Sequence, residues 1–292
     1  MSDSFATSVL SLEPGNMVGG YTLVSHLGGG AMGTVWTVRD SAGQLFAMKI
    51  LRDSLATDPQ EKEREQQARE RLHREALALT KVRHPNVTAI VDMELDDRLA
   101  FIVTELIEGD NLRDDVNRNG AYTGEDLVLL AEKLISAVQA VHQAGIIHRD
   151  IKPTNVMISA SGPILVDFGI AMEPGESHVT RTGLVMGTPG FIAPEVIEGA
   201  ESDEITDWWS LASVLAFAAT GQPVFGSKPI MAVLEREASG AADLHTLSPL
   251  LRQAFLQALN PQRSQRLSIG KLYQAIVADV RGVGGQPVGG LQ

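Results

Sequence analysis

At 292 residues with 44% hydrophobic content, the chain is long enough to bury a sizeable core, as one large domain or as two lobes. A formal net charge of −12 argues against general binding to nucleic acid or to anionic membranes, because long-range repulsion opposes both associations. The chain has no cysteine, which excludes disulfide frameworks, thiolate nucleophiles and cysteine zinc sites.

The first residues carry no basic-plus-apolar signal, and the most apolar run, Leu211 to Ala219, falls far short of the roughly 20 residues that span a bilayer. The expectation is a soluble chain. Residues 1–19 read as a flexible leader. Tyr21 to Leu27 has strand character that Gly28-Gly29-Gly30 breaks; Thr34 to Arg39 resumes the strand and Leu45 to Leu51 forms the next. Two strands about a glycine tip predict a hairpin, not the strand-then-helix context of a dinucleotide fold. Pro59 to Lys81 reads as helix, charged over Gln60 to Arg71 and then carrying Leu72, Ala76 and Leu79 at helical spacing. The charged half is expected to be a solvated face.

Val87 to Met93 and Leu99 to Leu106 read as strands around an Asp96-Asp97 turn. Glu108-Gly109-Asp110-Asn111 is a polar break, taken as the hinge between a strand-rich lobe (20–107) and a helical lobe (108–281). Helical patterns follow at Glu125 to Gln143, Asp207 to Thr220, Ile230 to Ala238, Pro249 to Leu259 and Ile269 to Arg281, with a short buried strand at Ile164 to Val166. Residues 173–190, rich in Gly, Thr, Ser and Pro, read as a mobile loop, and 282–292 as a flexible tail. The predicted fold class is α+β and bilobal.

The densest chemistry lies in His148-Arg149-Asp150-Ile151-Lys152-Pro153-Thr154-Asn155 and in Asp167-Phe168-Gly169. Two carboxylates, a carboxamide and a lysine on two loops suit metal-bound nucleotide phosphates and an attacking hydroxyl. Asp150 is the candidate general base, or the group that orients the hydroxyl, and Lys152 the candidate neutraliser of the γ-phosphate. Asn155 and Asp167 offer hard oxygens to Mg²⁺, with Mn²⁺ as an alternative. His148 reads as scaffold.

Upstream, Gly28, Gly30, Gly33 and Val35 form a glycine-rich tip whose backbone can approach phosphates closely. Leu27, Val35 and Ala47 are expected above a purine and Met157 below it; ordinary core packing is the bland alternative for all four. Lys49 ends its strand, and Glu75 is its expected partner, preferred over Glu70 and Glu65 because it borders the face carrying Leu72, Ala76 and Leu79.

Gly28 to Val35, Ala47 to Lys49, His148 to Asn155, Asp167-Phe168-Gly169 and Ala193-Pro194-Glu195 together resemble a eukaryotic-type (Hanks-type) protein serine/threonine kinase. The wording is similar to bacterial members, above all actinobacterial receptor-like kinases. The resemblance covers about residues 20 to 280. It implies a kinase N-lobe at 20–107, with a small antiparallel sheet and one long helix, and a mainly helical C-lobe at 108–281. It implies Lys49, Glu75, Asp150 and Lys152 as catalytic residues, and Thr104, Glu105 and Ile107 beside the adenine, with Thr104 as gatekeeper.

Lys152 with Thr188 resembles the serine/threonine-specific pattern. Arg149 before the aspartate implies activation by loop phosphorylation, with Thr180 and Thr182 as the expected sites and Ser177 a lesser one. Glu195 would pair with Arg266, and Asp207 would hold the catalytic loop's backbone. Trp208-Trp209 departs from the smaller pair expected there and reads as apolar packing. The implied partners are protein substrates and a second copy of the chain for trans-autophosphorylation; the implied place is the cytoplasm, free or as the cytoplasmic part of a membrane-anchored kinase. Two other readings compete: a pseudokinase scaffold that binds nucleotide without transfer, and a small-molecule phosphotransferase. The first needs a missing catalytic part, yet every part is present. The second fits poorly with the threonine-bearing loop before Ala193-Pro194-Glu195.

Overall fold

A computed structural model describes residues 12–30, 33–51, 70, 73–95, 100–168 and 188–282. The expected sites Thr180, Thr182 and Ser177, the charged run at 60–69, Leu72, Gly169 and most of the leader and tail lie outside the described residues. Two compact units divide the chain: Met1–His73 with Ala89–Leu106, and Arg74–Thr88 with Ile107–Gln292. Among the described residues no helix is long and apolar enough to cross a membrane.

The first unit is a six-stranded antiparallel sheet in the order β1-β2-β3-β4-β6-β5. Its strands are β1 (Met17–Val18), β2 (Tyr21–Gly30), β3 (Gly33–Arg39), β4 (Leu45–Leu51), β5 (Ile90–Glu94) and β6 (Phe101–Glu105). Alternation sorts the side chains: Trp36, Val38, Met48 and Ile50 turn to one face and join Val18, Leu23, Phe101 and Val103 in a buried cluster. The glycines do not break β2. They continue it to the hairpin tip, pairing Gly28 with Val35, Gly29 with Thr34 and Gly30 with Gly33. Glycine lowers strand propensity, but the β3 partner supplies the ladder bonds that propensity alone does not predict. Gly33 is required on steric grounds: its φ is +146°, and a Cβ there would overlap the Ile50 carbonyl oxygen.

The second unit begins at Arg74 within α1, helical at 73–79, and continues through β7 (Asp110–Asn111), α2 (Leu112–Asn119) and α3 (Gly124–Gln143). Strands β8 (Val156–Ser159) and β9 (Gly162–Leu165) follow, then α4 (Pro194–Ile197), α5 (Glu204–Thr220), α6 (Ile230–Ser239), α7 (Pro249–Ala258) and α8 (Ile269–Val280). Helix α2 follows the polar break, in a stretch for which the sequence predicts no element. It buries just Leu112 and Val116, one turn apart, so it has no apolar stripe to read; Asn111 caps it by accepting the Asp114 amide.

Helix α5 begins three residues before the expected Asp207. Asp203 and Thr206 form a reciprocal capping box, with the Thr206 amide on Asp203 Oδ1 at 3.0 Å and the Asp203 amide on Thr206 Oγ1 at 2.9 Å. It is buried on nearly every side, as a central helix must be. Trp209 is 1% exposed and stacks on Phe225 at 5.6 Å between ring centroids, while Trp208 meets the His142 ring edge-on at 4.9 Å.

Glu195 on α4 receives a fork from Arg266, Nη1 at 2.8 Å and Nη2 at 2.5 Å, with Arg263 Nη1 a further 3.3 Å partner. The pair is nearly desolvated, with side-chain exposures of 6% for Arg266 and 12% for Glu195. Breaking a buried pair from one side strands a charge. Arg266→Ala should therefore lower folding stability by about 3 kcal/mol, at the low end because Arg263 remains, and a denaturant titration reads the shift directly.

Candidate functional site

In the first unit, strand register gathers the expected nucleotide residues onto the sheet face opposite the Trp36 cluster. Gly28 pairs with Val35 and Val35 with Lys49, forming one row; Ala47 pairs with Thr104 in the next. Directly paired residues share a face, so Gly28, Val35, Ala47, Lys49 and Thr104 lie side by side. Lys49, Val35 and Ala47 are half-buried, whereas Leu27 is 53% exposed. Glu105, at the end of β6, is exposed, and its amide donates to the Ala89 carbonyl at 3.2 Å. Gly30 ends its strand at the tip, beyond which Ala31 and Met32 lie outside the described residues.

In the second unit, two short loops converge because β8 and β9 pair antiparallel, Val156 with Leu165 and Met157 with Ile164. The 3₁₀ turn Pro153–Asn155 leads into β8, and residues 166–168 leave β9. The Val166 amide donates to the Asn155 carbonyl at 2.9 Å and sews the two loops together. Asp150 sits at the centre. Lys152 Nζ donates to its Oδ2 at 2.7 Å, and Asn155 Nδ2 donates to the same oxygen at 3.0 Å and to the Asp150 carbonyl at 2.9 Å. Asn155 Nδ2 also reaches the Asp167 carbonyl at 3.4 Å. Met157 is half-buried on β8, and Ile107 is half-buried just before the polar break.

The loop's shape is forced. Arg149 and Asp167 hold φ of 65° and 53°, left-handed values that cost a non-glycine residue about 1–2 kcal/mol each. Asp207, 1% exposed on α5, offsets that strain by accepting three hydrogen bonds. The His148 amide donates to Oδ2 at 2.8 Å, the Arg149 amide to Oδ1 at 3.0 Å, and His142 Nε2 lies 2.8 Å from Oδ2. His148 is wholly buried against Phe168, with ring centroids 4.9 Å apart. Burial holds its pKa below the ordinary histidine value although Asp207, Asp150 and Asp167 pull the other way, so the ring stays neutral scaffold.

Arg149 points its guanidinium at Glu75 and not into solvent. Nη1 donates to Oε2 and Nη2 to Oε1, both at 2.8 Å, with exposures of 10% and 15%. Sequence reasoning gave each of the two a different partner and did not foresee this fork. It also missed Arg263, which donates to Asp203 Oδ2 at 2.5 Å as well as to Glu195. Burial would raise the Asp203 carboxyl, but Arg263 and the Thr206 amide outweigh it and hold it below the usual range. The signal for His142 was available in principle: it lies in the last turn of α3 on that helix's buried side.

A cleft opens beside Asp150. Its walls include Arg149, Lys152, Thr188, Phe191 and Ile192, so the catalytic loop and the segment before α4 face one space. A carboxylate, an ammonium and a threonine around one cleft can hold a hydroxyl-bearing chain and take its proton.

The chain matches the protein kinase domain over residues 21–276. It is 31% identical to the probable serine/threonine-protein kinase PkwA of Thermomonospora curvata, over 93% of this chain and 36% of that protein. It is 31% identical to the serine/threonine-protein kinase AfsK of Streptomyces coelicolor, over 93% of this chain and 33% of that protein. With the serine/threonine-protein kinase PkaB of Streptomyces coelicolor the identity is 32%, over 86% of this chain and 61% of that protein. The chain thus spans about a third of the length of the first two relatives. With a sheet unit, a helical unit and the Asp150 loop of this build, it belongs to the protein kinase family, in its eukaryotic-type bacterial serine/threonine branch, and has the bilobal kinase fold.

Proposed function

We propose that the protein transfers the γ-phosphate of ATP to serine or threonine hydroxyls of proteins, with Asp150 as the base. The observation that carries this reading is the arrangement around that carboxylate: one oxygen is held by Lys152 and Asn155, and the group faces a cleft bounded by Thr188. The acceptor oxygen bonds to the γ-phosphorus as the bond to the ADP oxygen breaks, and its proton passes to Asp150. Lys152, whose Nζ is 2.7 Å from the Asp150 carboxylate, would offset charge gathering on the transferred group. The domain limits read from the sequence, 20–107 and 108–281 with a leader and a tail, belong to the same proposal, as do the nucleotide roles of Lys49, Glu75, Thr104, Glu105, Ile107 and Met157.

The family uses a divalent metal with ATP. The donor set here fits Mg²⁺. Asn155 spends its Nδ2 on the loop and keeps a carbonyl oxygen, and Asp167 adds a carboxylate, which together suit a cation that takes one or two protein oxygens and completes its shell with phosphate and water. No group of three or more acidic or histidine side chains that would hold a metal alone exists among the described residues. Bound there, the ion would supply charge neutralisation for the phosphates. Thr180 and Thr182 are the proposed autophosphorylation sites, modified by a second copy of the chain. A cytoplasmic setting, free or membrane-anchored, supplies the ATP that the reaction needs.

Incubation with labelled ATP, Mg²⁺ and myelin basic protein tests the reading, which predicts label on serine and threonine. Nucleotide binding without transfer would make the protein a scaffold instead. Lys49→Met and Asp150→Asn should each abolish transfer and leave thermal unfolding near that of the parent; near-normal turnover by the Asp150 variant would overturn its assignment as base.

Asp207→Ala should release the His148 and Arg149 amides and let the base drift. A displacement of that scale costs on the order of 10²-fold in kcat. Nucleotide affinity, measured separately by calorimetry, should change far less.

A further inference from the structure

Among the described residues, Glu237 on α6 is the one acidic side chain that is wholly buried yet has no place in the machinery described above. Its Oε1 accepts the Ile192 amide at 3.0 Å, and the Gly190 amide also acts on the carboxyl. Oε2 has no hydrogen-bond partner among the described residues. The segment it grips is held from the other side by α5: Ser210 Oγ donates to the Phe191 carbonyl at 2.8 Å and Ser213 Oγ to the Gly190 carbonyl at 2.6 Å. Phe191 packs its ring against Phe217 at 6.3 Å. Residues 190–192 are therefore suspended between two helices by three polar side chains. Their outer side, Phe191 and Ile192, forms a wall of the cleft that also holds Asp150 and Lys152.

A buried carboxyl without a counter-charge is an expensive way to hold a short backbone segment; a serine or an asparagine would do it at lower cost. We propose that Glu237 is a positioning residue for the protein acceptor, acting through the Gly190–Ile192 wall to set how an acceptor chain lies against Asp150. This rests on the reading of the Asp150 cleft as the acceptor site. The carboxyl acts as a graded clamp. Ionised, it accepts the Ile192 amide as a charge-assisted bond and holds the wall in place; protonated, it accepts more weakly and the wall slackens.

The transition falls in a useful range. Burial raises the Glu237 pKa to about 7, opposed only in part by the Ile192 and Gly190 amides. No charged side chain contributes to that shift. Of the charged groups on the elements around it, Arg236 on α6 donates to the Phe225 carbonyl, Glu195 on α4 holds Arg266, Asp207 on α5 holds the Asp150 loop, and Glu235 on α6 and Glu204 on α5 are exposed. The sign for stability runs opposite to that for binding. With a folded pKa above the ordinary 4.5, the folded protein holds more protons than the unfolded chain between the two values. Stability is thus lost as pH rises through that window, while the grip on the wall is gained.

Steady-state kinetics of the full chain test this, with myelin basic protein as acceptor at saturating Mg-ATP, across about pH 6 to 8. In the parent protein, acceptor kcat/KM should rise through a step centred at about 7, carried by KM, while the KM for ATP stays level. Glu237→Gln keeps an acceptor oxygen for the Ile192 amide but does not titrate, so its profile should lack that step. Glu237→Leu, which removes the acceptor altogether, should raise the acceptor KM by about tenfold at pH 8, the loss of one charge-assisted hydrogen bond, without altering the KM for ATP.

A step that persists unchanged in Glu237→Gln overturns the proposal, as does a Glu237→Leu protein whose acceptor and ATP constants shift alike. Thermal melts provide a readout that needs no transfer. The melting advantage of Glu237→Gln over the parent should grow as pH rises from about 5 to 8, and an advantage that does not change with pH also overturns the proposal. If the leucine variant fails to fold, the isosteric glutamine variant carries both measurements. Loss of transfer in Asp150→Asn is scored separately: full turnover by that variant would sink the assignment of the base and leave the Glu237 profile to be judged by itself.

Discussion

The arrangement of the loop around Asp150 depends on one buried carboxylate. Asp207 is buried in α5 and receives two backbone amides from the loop and one imidazole from the end of α3. Without it, Arg149 would have little reason to stay at a φ of 65°, and the chain would relax toward ordinary backbone. That unusual turn is what lets residues two positions apart do opposite things: His148 goes into the core beneath Phe168, while Asp150 faces the cleft. The buried anion is tolerated because its donors come from elements that are themselves packed. Its position is secured at the root of α5 by the Asp203–Thr206 capping box, and Arg263 links that box to Glu195. Core, cap and catalytic loop are one hydrogen-bonded chain.

Much of this was legible in the residues, and the parts that were not share a physical cause. Strands β3 and β4 show a two-residue alternation with apolar side chains, and α3, α7 and α8 show helical stripes, so their existence and type could be read. Boundaries moved where a cap or a partner strand decided them. The glycines of β2 read as a break because propensity is local, whereas the Gly28–Val35 and Gly29–Thr34 pairs are made by the facing strand. Helix α2 went unread because two buried side chains, Leu112 and Val116, make no period.

At the site, the loop motifs named Asp150, Lys152, Asn155 and Asp167 because their spacing is local. The partner of Arg149 was not legible. A guanidinium binds whichever carboxylate the fold brings within reach, and Glu75 lies 74 positions away. Glu237 left no trace either. In the sequence it is one of two glutamates in an ordinary amphipathic helix, and only packing against residues 190–192 sets it apart from Glu235.

The two buried acids around the cleft, Asp207 and Glu237, show how one chemical group can serve two ends. Both have almost no exposure and both bind backbone amides of functional segments. Asp207 is fully supplied with donors, three to two oxygens, and its neighbours gain nothing by moving. Glu237 has the Ile192 amide on one oxygen and no partner for the other among the described residues, so its charge is poorly compensated and its proton is easily regained. A fully satisfied carboxylate makes a rigid anchor, suited to holding Asp150 if it serves as the proposed base. A half-satisfied one makes an adjustable support, suited to a wall that must admit a polypeptide. The division follows from counting donors, and under the proposed function it would set the stiff element behind the base and the compliant one behind the acceptor wall.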